Sequence, residues 1–309
     1  TVAAAIGASD ADLVVAIGGG SVMDTAKMAR LVTPGASAAD VLQRLRSGTA
    51  AAATRIPMIA VPTTLSGAEL TAVMGITDDV SREKVVIDIV NGAPDEVVFD
   101  PRATVATPAH IWAATGVKCM SDACEELVSN TSSPAIDPLA LRALELFRAN
   151  LGAGPDDLEG RLACQVATWL TIFGIISSGT GAGVAAAIRH QLGAATGLAH
   201  GRVAACLLGP VLRYNWPAIP AGLRARLAAA LGVTAVPAAV DDVVDEVNRF
   251  MHSLDIGGPP DVAVAPGQLA AIAEHALHEF AVKSNPRRVQ SAAELQAIVE
   301  EALGAASTR

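Results

Sequence analysis

Residues 12–27 read DLVVAIGGGSVMDTAK: apolar and β-branched side chains stop at three glycines, and the residues that follow take up helical spacing. A strand that passes straight into a helix needs a tight turn. Glycines supply it and let the backbone come close to a ligand. The helix that opens there presents unpaired N–H groups and the positive end of its dipole, which is the chemistry of a diphosphate seat. A ligand-free strand-to-helix turn would use the same residues, and the spacing after Gly20 departs from the GxGxxG dinucleotide fingerprint.

Around this feature the first third of the chain alternates. Strands are predicted at 12–18, 55–61, 84–90 and 96–99, and a helix at 21–32. Strand, helix, strand in that order argues for a parallel sheet in an α/β unit. From Pro108 onward the text becomes Ala- and Leu-rich with helical periodicity. Helices are predicted at 108–129, 138–150, 158–177, 181–192, 203–214, 223–231, 240–254, 266–282 and 291–303, punctuated by Pro and Gly. The expected fold class is α/β, with a Rossmann-like parallel-sheet nucleotide-binding domain over 1–107 followed by an all-helical domain over 108–309.

Composition narrows the function. With 309 residues and 51% of them apolar, the chain is long and apolar enough for a substantial core, which excludes a disordered chain. A net charge of −9 argues against a phosphate-backbone binder, and 3% aromatics against a stacking platform for single strands. The stretch 162–188 carries no charged residue, as a membrane span would, but its polar and glycine interruptions favour a buried core helix. Cys119, Cys124, Cys164 and Cys206 form no CxxC pair, which favours free thiols in a reducing, cytoplasmic compartment. The opening TVAAAIGASDAD has no basic flank and is not read as a signal peptide; its first residue is Thr, so an earlier segment is expected to be missing.

A second signal, PTTLSGAE at 62–69, again follows a strand. Hydroxyls and a glycine at the carboxyl edge of a parallel sheet suit a polar ligand, although Thr64 or Ser66 would also serve as an ordinary helix cap. AIGGGSVMDTAK (16–27) followed by VPTTLSGAELT (61–71) resembles the iron-containing alcohol dehydrogenase family. The resemblance continues in order through Asp100-Pro101, AATG (113–116), HQLG (190–193), LAHG (198–201), LLGPVLRYN (207–215) and Asn285-Pro286-Arg287, and so spans essentially the whole chain. The loop from Thr64 to Glu69 is one residue shorter than in many metal-dependent members, a length similar to the maleylacetate reductase branch.

The resemblance implies a dehydroquinate synthase-like fold, a homodimer, and a nicotinamide cofactor, NAD or NADP. It implies that Gly19, Gly20 and Ser21 hold the cofactor diphosphate and that Thr63, Thr64 and Ser66 line its crevice. It also brings Lys84 to the ribose and Asp24 to the nicotinamide end, against a plainer reading of Asp24 and Lys27 as an i,i+3 pair on a solvated helix face. The four metal-ligand positions of the family fall on Lys118, Asp122, Ala186 and His200, so the resemblance breaks at the metal site. A protonated lysine has no lone pair and alanine no donor atom, and no bound metal is expected. Lys118 and Asp122 share a helix face at i,i+4. One reading makes Lys118 a fixed charge in the metal's place, oriented by Asp122, with His190 or His200 as proton donor; the other makes the pair a structural salt bridge. Arg189 and Arg202 are candidates to hold an acidic substrate or, more simply, ion-paired side chains. The expected function is a metal-independent, nicotinamide-dependent reductase of a small carbonyl substrate, an aldehyde or keto acid. Its rivals are a non-redox lyase, cyclase or dehydratase on the same scaffold, and an inactive nucleotide-binding homologue.

Overall fold

The computed structural model describes residues 2–30, 56–77, 84–88, 91–179 and 182–304, with the side chains of 76, 77 and 84–87 excepted. The chain divides into two compact units, Thr1–Thr107 and Pro108–Arg309.

In the first unit a seven-residue helix, α1 (Val2–Ala8), precedes β1 (Val14–Gly18), which runs into α2 (Gly20–Ala29) with Gly19 at the N-cap. Strand β2 (Met58–Pro62) lies parallel to β1, with Val14 opposite Met58 and Gly18 opposite Pro62. The short β5 (Glu96–Val97) pairs parallel on the other side of β2, giving the order β1-β2-β5. Alternation decides the faces: Met58 and Ala60 of β2 and Ala16 of β1 point inward against Met23 and Ala26 of α2.

Two elements differ from expectation. Lys84–Asp88 forms a strand, β4, but it pairs antiparallel with β3 (Val73–Thr77) in a separate two-stranded sheet rather than joining the parallel one. The sequence VMGIT at 73–77 was not expected as a strand, since it is short and glycine interrupts its β-branched pattern. The last two residues of the predicted helix 21–32 lie outside the described residues.

The second unit is helical throughout. Its elements are α3 (Ala109–Val128), α4 (Asp137–Asn150), α5 (Leu158–Ser178), α6 (Val184–Thr196), α7 (His200–Asn215), α8 (Ala221–Ala230), α9 (Val240–Ser253), α10 (Pro266–Leu277) and α11 (Ala292–Ala302). Helix α3 is the buried axis: Val117, Met120, Ala123 and Leu127 are fully excluded from solvent. Helix α7 crosses it closely at Gly201, where an added Cβ would lie 2.0 Å from the Ala114 carbonyl oxygen, so only glycine allows the approach.

Helix α5 is long and apolar enough to cross a bilayer, but half of its most apolar window is buried within the unit, and Asp157 caps its start by accepting from Gly160 N–H at 2.9 Å. Helix α6 begins three residues later than expected and runs four further, ending where Gly197 turns left-handed (φ 74°). The predicted helix 266–282 ends at Leu277, and Phe280–Ser284 continues as a 3-10 turn.

Candidate active site

The glycine turn of the first unit faces the hydroxyl loop. Thr63 N–H donates to Gly18 O at 2.9 Å and so ties the ends of β1 and β2 together. Thr107 Oγ1 in turn donates to Thr63 O at 2.7 Å. A Cβ on Gly19 would lie 3.0 Å from Thr64 Cγ2, and one on Gly20 3.2 Å from Ser66 Oγ. Side chains at 19 and 20 would therefore crowd the space between turn and loop. Thr64 is buried and its Oγ1 meets no hydrogen-bond partner among the described residues. Ser21 is exposed in the first turn of α2. The N-terminus of α2, a glycine floor and a hydroxyl unsatisfied among the described residues form a cradle that fits an anionic diphosphate.

Asp24 and Lys27 lie elsewhere than on a solvated face. Lys27 is wholly buried. Its ammonium lies 3.0 Å from Asp24 Oδ1, and Asp24 Oδ2 accepts from Gly75 N–H at 3.0 Å. Burial pushes the Lys27 pKa down, and the Asp24 carboxylate opposes it. Lys84 opens β4 opposite Thr77, and its side chain lies outside the described residues.

In the second unit one carboxylate holds two cations. Asp122, on the buried face of α3, receives Lys118 Nζ at 2.8 Å on Oδ2 and Arg189 Nη2 at 2.8 Å on Oδ1. The side chains of Asp122 and Arg189 are each 5% exposed, whereas Lys118 keeps 22% of its side chain open. Burial alone would raise the Asp122 pKa, but Arg189 and then Lys118 outweigh it and hold the carboxyl below its ordinary value. Burial would likewise lower Lys118, and the Asp122 charge reverses that, keeping the ammonium above its ordinary value.

Arg189 is thus the second counter-ion of Asp122, a role the sequence does not signal because it joins helices 67 positions apart. Arg202 donates to the Ile256 and Pro259 carbonyls at 2.6 and 3.0 Å, a structural role. Glu125, also unforeseen, accepts from Ala185 N–H (2.6 Å) and Ala186 N–H (3.1 Å) and so caps the start of α6.

The turn of α6 that follows carries His190. Its ring centroid lies 5.9 Å from that of His200, the first residue of α7. His190 Nδ1 faces Glu279 Oε1 at 3.6 Å, and Gln191 Nε2 holds the same oxygen at 2.7 Å. Burial, and next the Arg189 charge, lower the His190 pKa against a smaller opposing pull from Glu279. The four cysteines are free and buried; burial pushes Cys164 up to about 12 and Cys206 to about 11, so neither is a nucleophile at neutral pH.

Comparison with known proteins agrees with the order of these motifs. Residues 1–101 match the model of the iron-containing alcohol dehydrogenases, and residues 112–303 match that of the C-terminal part of the same family. The chain belongs to the iron-containing alcohol dehydrogenase family. Dehydrogenase ALT3 of Alternaria alternata is 30% identical over 91% of this chain and 82% of its own length. The NAD-dependent methanol dehydrogenase of Bacillus methanolicus is 28% identical over 94% and 77%. Among solved structures, a 1,3-propanediol oxidoreductase superposes with a TM-score of 0.85 at 27% identity, covering 97% of this chain and 79% of that one. The maleylacetate reductase of Agrobacterium tumefaciens, at 24% identity and a TM-score of 0.76 over 98% of this chain and 77% of that one, shares the fold. The chain is an enzyme of the alcohol dehydrogenase type, an oxidoreductase on a two-part α/β and helical scaffold.

The family name implies iron, and the residues here do not fit it. Of the four positions where the sequence resemblance places metal ligands, Lys118 is a charged donor, and both oxygens of Asp122 are committed to cations. Ala186 has no ligand atom, which leaves His200 alone, short of the three or four protein ligands a divalent metal needs. Among the described residues no group of three or more His, Cys, Asp or Glu side chains is disposed to hold a metal ion.

Proposed function

We propose that this chain is a metal-independent reductase that works with NAD or NADP on a small carbonyl substrate, an aldehyde or keto acid, in a cytoplasmic compartment. The observation that carries the reading is the bridging of Lys118 and Arg189 by Asp122 at the family's metal position. Gly19, Gly20 and Ser21 would seat the cofactor diphosphate, with Thr63, Thr64 and Ser66 along the opposite wall. When bound, the reduced nicotinamide supplies the hydride that a carbonyl carbon accepts.

What the chain must then do is stabilise negative charge on the carbonyl oxygen and deliver a proton to it. Lys118 is suited to the first task. Asp122 keeps its ammonium charged, its side chain retains an open edge, and a preorganised cation in a water-poor site stabilises a developing alkoxide without reorganising. The paired histidines are suited to the second. The Glu279 carboxylate helps His190 hold its proton before transfer, burial favours the neutral ring left once the proton has passed to the alkoxide, and His200 is its neighbour as a second proton donor.

The test is metal analysis of the purified protein together with titration by NADH and NADPH, followed by assay with and without a strong chelator. Sub-stoichiometric metal, micromolar binding of one cofactor and chelator-resistant reduction of a carbonyl are expected. Stoichiometric zinc or iron whose removal abolishes activity would overturn the reading of Lys118.

A further inference from the structure

Lys27 has no task in the chemistry proposed above, yet its side chain is wholly buried. Besides Asp24, its ammonium donates to the carbonyls of Ala68 at 2.8 Å, Thr71 at 3.3 Å and Val73 at 2.5 Å. Those carbonyls belong to the end of the hydroxyl loop and the segment directly after it. The loop is thus anchored to the β1–α2 element twice. Its front is held by Thr63 N–H on Gly18 O at 2.9 Å, and its rear by Lys27. Between the two anchors stand Thr64 and Ser66, the side chains packed against Gly19 and Gly20. Asp24 completes the rear anchor through Gly75 N–H.

We propose that Lys27 is a positioning residue: by gripping three carbonyls behind the hydroxyl loop it holds Thr64 and Ser66 at a fixed distance from the glycine turn, so that both walls of the cofactor diphosphate seat move as one piece. The proposal rests on the reading of that seat as a nicotinamide dinucleotide site. An ammonium serves because it satisfies several carbonyls from one buried point, where an apolar side chain would take that donor from all of them.

The experiment compares the full chain with Lys27→Met, of similar length and no charge, and with Asp24→Asn, which keeps an acceptor for Gly75 and removes the charge partner of Lys27. The measurements are the dissociation constant of NADH or NADPH by fluorescence, and KM and kcat for cofactor and carbonyl substrate. The expected result is a split. The cofactor dissociation constant and KM rise at least tenfold in Lys27→Met and about threefold in Asp24→Asn, while kcat at saturating cofactor and the KM of the carbonyl change far less. A lysine that only stabilises the unit would lower the melting temperature without this split, and that result overturns the proposal. If Lys27→Met does not fold, Asp24→Asn decides alone by the same criterion. Wild-type protein that binds no dinucleotide would sink the seat reading and the proposal together, whereas tight wild-type binding matched by both variants would sink the proposal only.

Discussion

Asp122→Asn is the most informative single change, because one carboxylate is the counter-ion of two cations. The variant keeps the volume but presents at most one acceptor oxygen, so Lys118 and Arg189 face each other with no counter-charge between them. Removing one partner of a buried ion pair typically costs about 3–5 kcal/mol. Lys118 keeps 22% of its side chain open, so solvent screens part of the stranded charge, and we take the low end, about 3 kcal/mol. For a domain of this size each kcal/mol shifts melting by roughly 2–4 °C, so the expected loss is about 6–12 °C. A second consequence is kinetic. The Lys118 ammonium is held above its ordinary value against burial chiefly by Asp122; without Asp122, burial lowers its pKa. The rate of carbonyl reduction at saturating cofactor should then fall on the alkaline side at a lower pH than in the wild type. Differential scanning calorimetry and a pH–rate profile read the two effects separately. A variant that melts within about 2 °C of wild type, a bound set from the same scaling, and keeps its alkaline limb would refute the shared counter-ion.

Three further outcomes are expected. Lys118→Met, which leaves Asp122 paired with Arg189, should lower kcat about 100- to 1,000-fold, the loss typical of one preorganised donor, with the cofactor KM unchanged; steady-state kinetics on both substrates check it. The pKa of His190 is lowered, chiefly by burial, so carbonyl reduction should fall with rising pH through a midpoint below the ordinary histidine value of about 6.5, and Glu279→Gln should move that midpoint lower still. Glu126 is fully buried with neither carboxyl oxygen hydrogen-bonded among the described residues, and burial raises its pKa to about 8. The folded chain therefore holds a proton that the unfolded chain releases above pH ~4.5, and stability falls as pH rises from there to about 8, by at most about 3 kcal/mol at pH 7. Relative to Glu126→Gln, wild-type stability should decline across that window in urea titrations; Glu125, raised to about 7 by burial, is common to both proteins and cancels, and parallel curves would refute the assignment.

The two acid–lysine pairs show how far a sequence of this kind can be read, and where reading stops. Helices, parallel strands and the glycine turn at the end of β1 are local signals, and local rules found them: a β-branched run ending in glycine, an apolar face at helical period, punctuation by proline and glycine. Asp24–Lys27 at i,i+3 and Lys118–Asp122 at i,i+4 are local in the same sense, since spacing puts each pair on one face. Spacing carries no information about what stands opposite that face. Opposite Asp24 and Lys27 stand the backbone groups of 68–75, in and before a strand too short and too glycine-broken to foresee, so a pair that reads as solvated is a buried clip on main chain. Opposite Asp122 stands Arg189, brought there by the packing of α6 on α3, and the pair becomes a triad carrying one positive charge in excess. The difference decides the chemistry. The carbonyls and Asp24 together occupy the three donors of Lys27 and fix a loop, whereas the charge of Asp122 is shared between two cations, and the more exposed of them, Lys118, remains charged at an open edge.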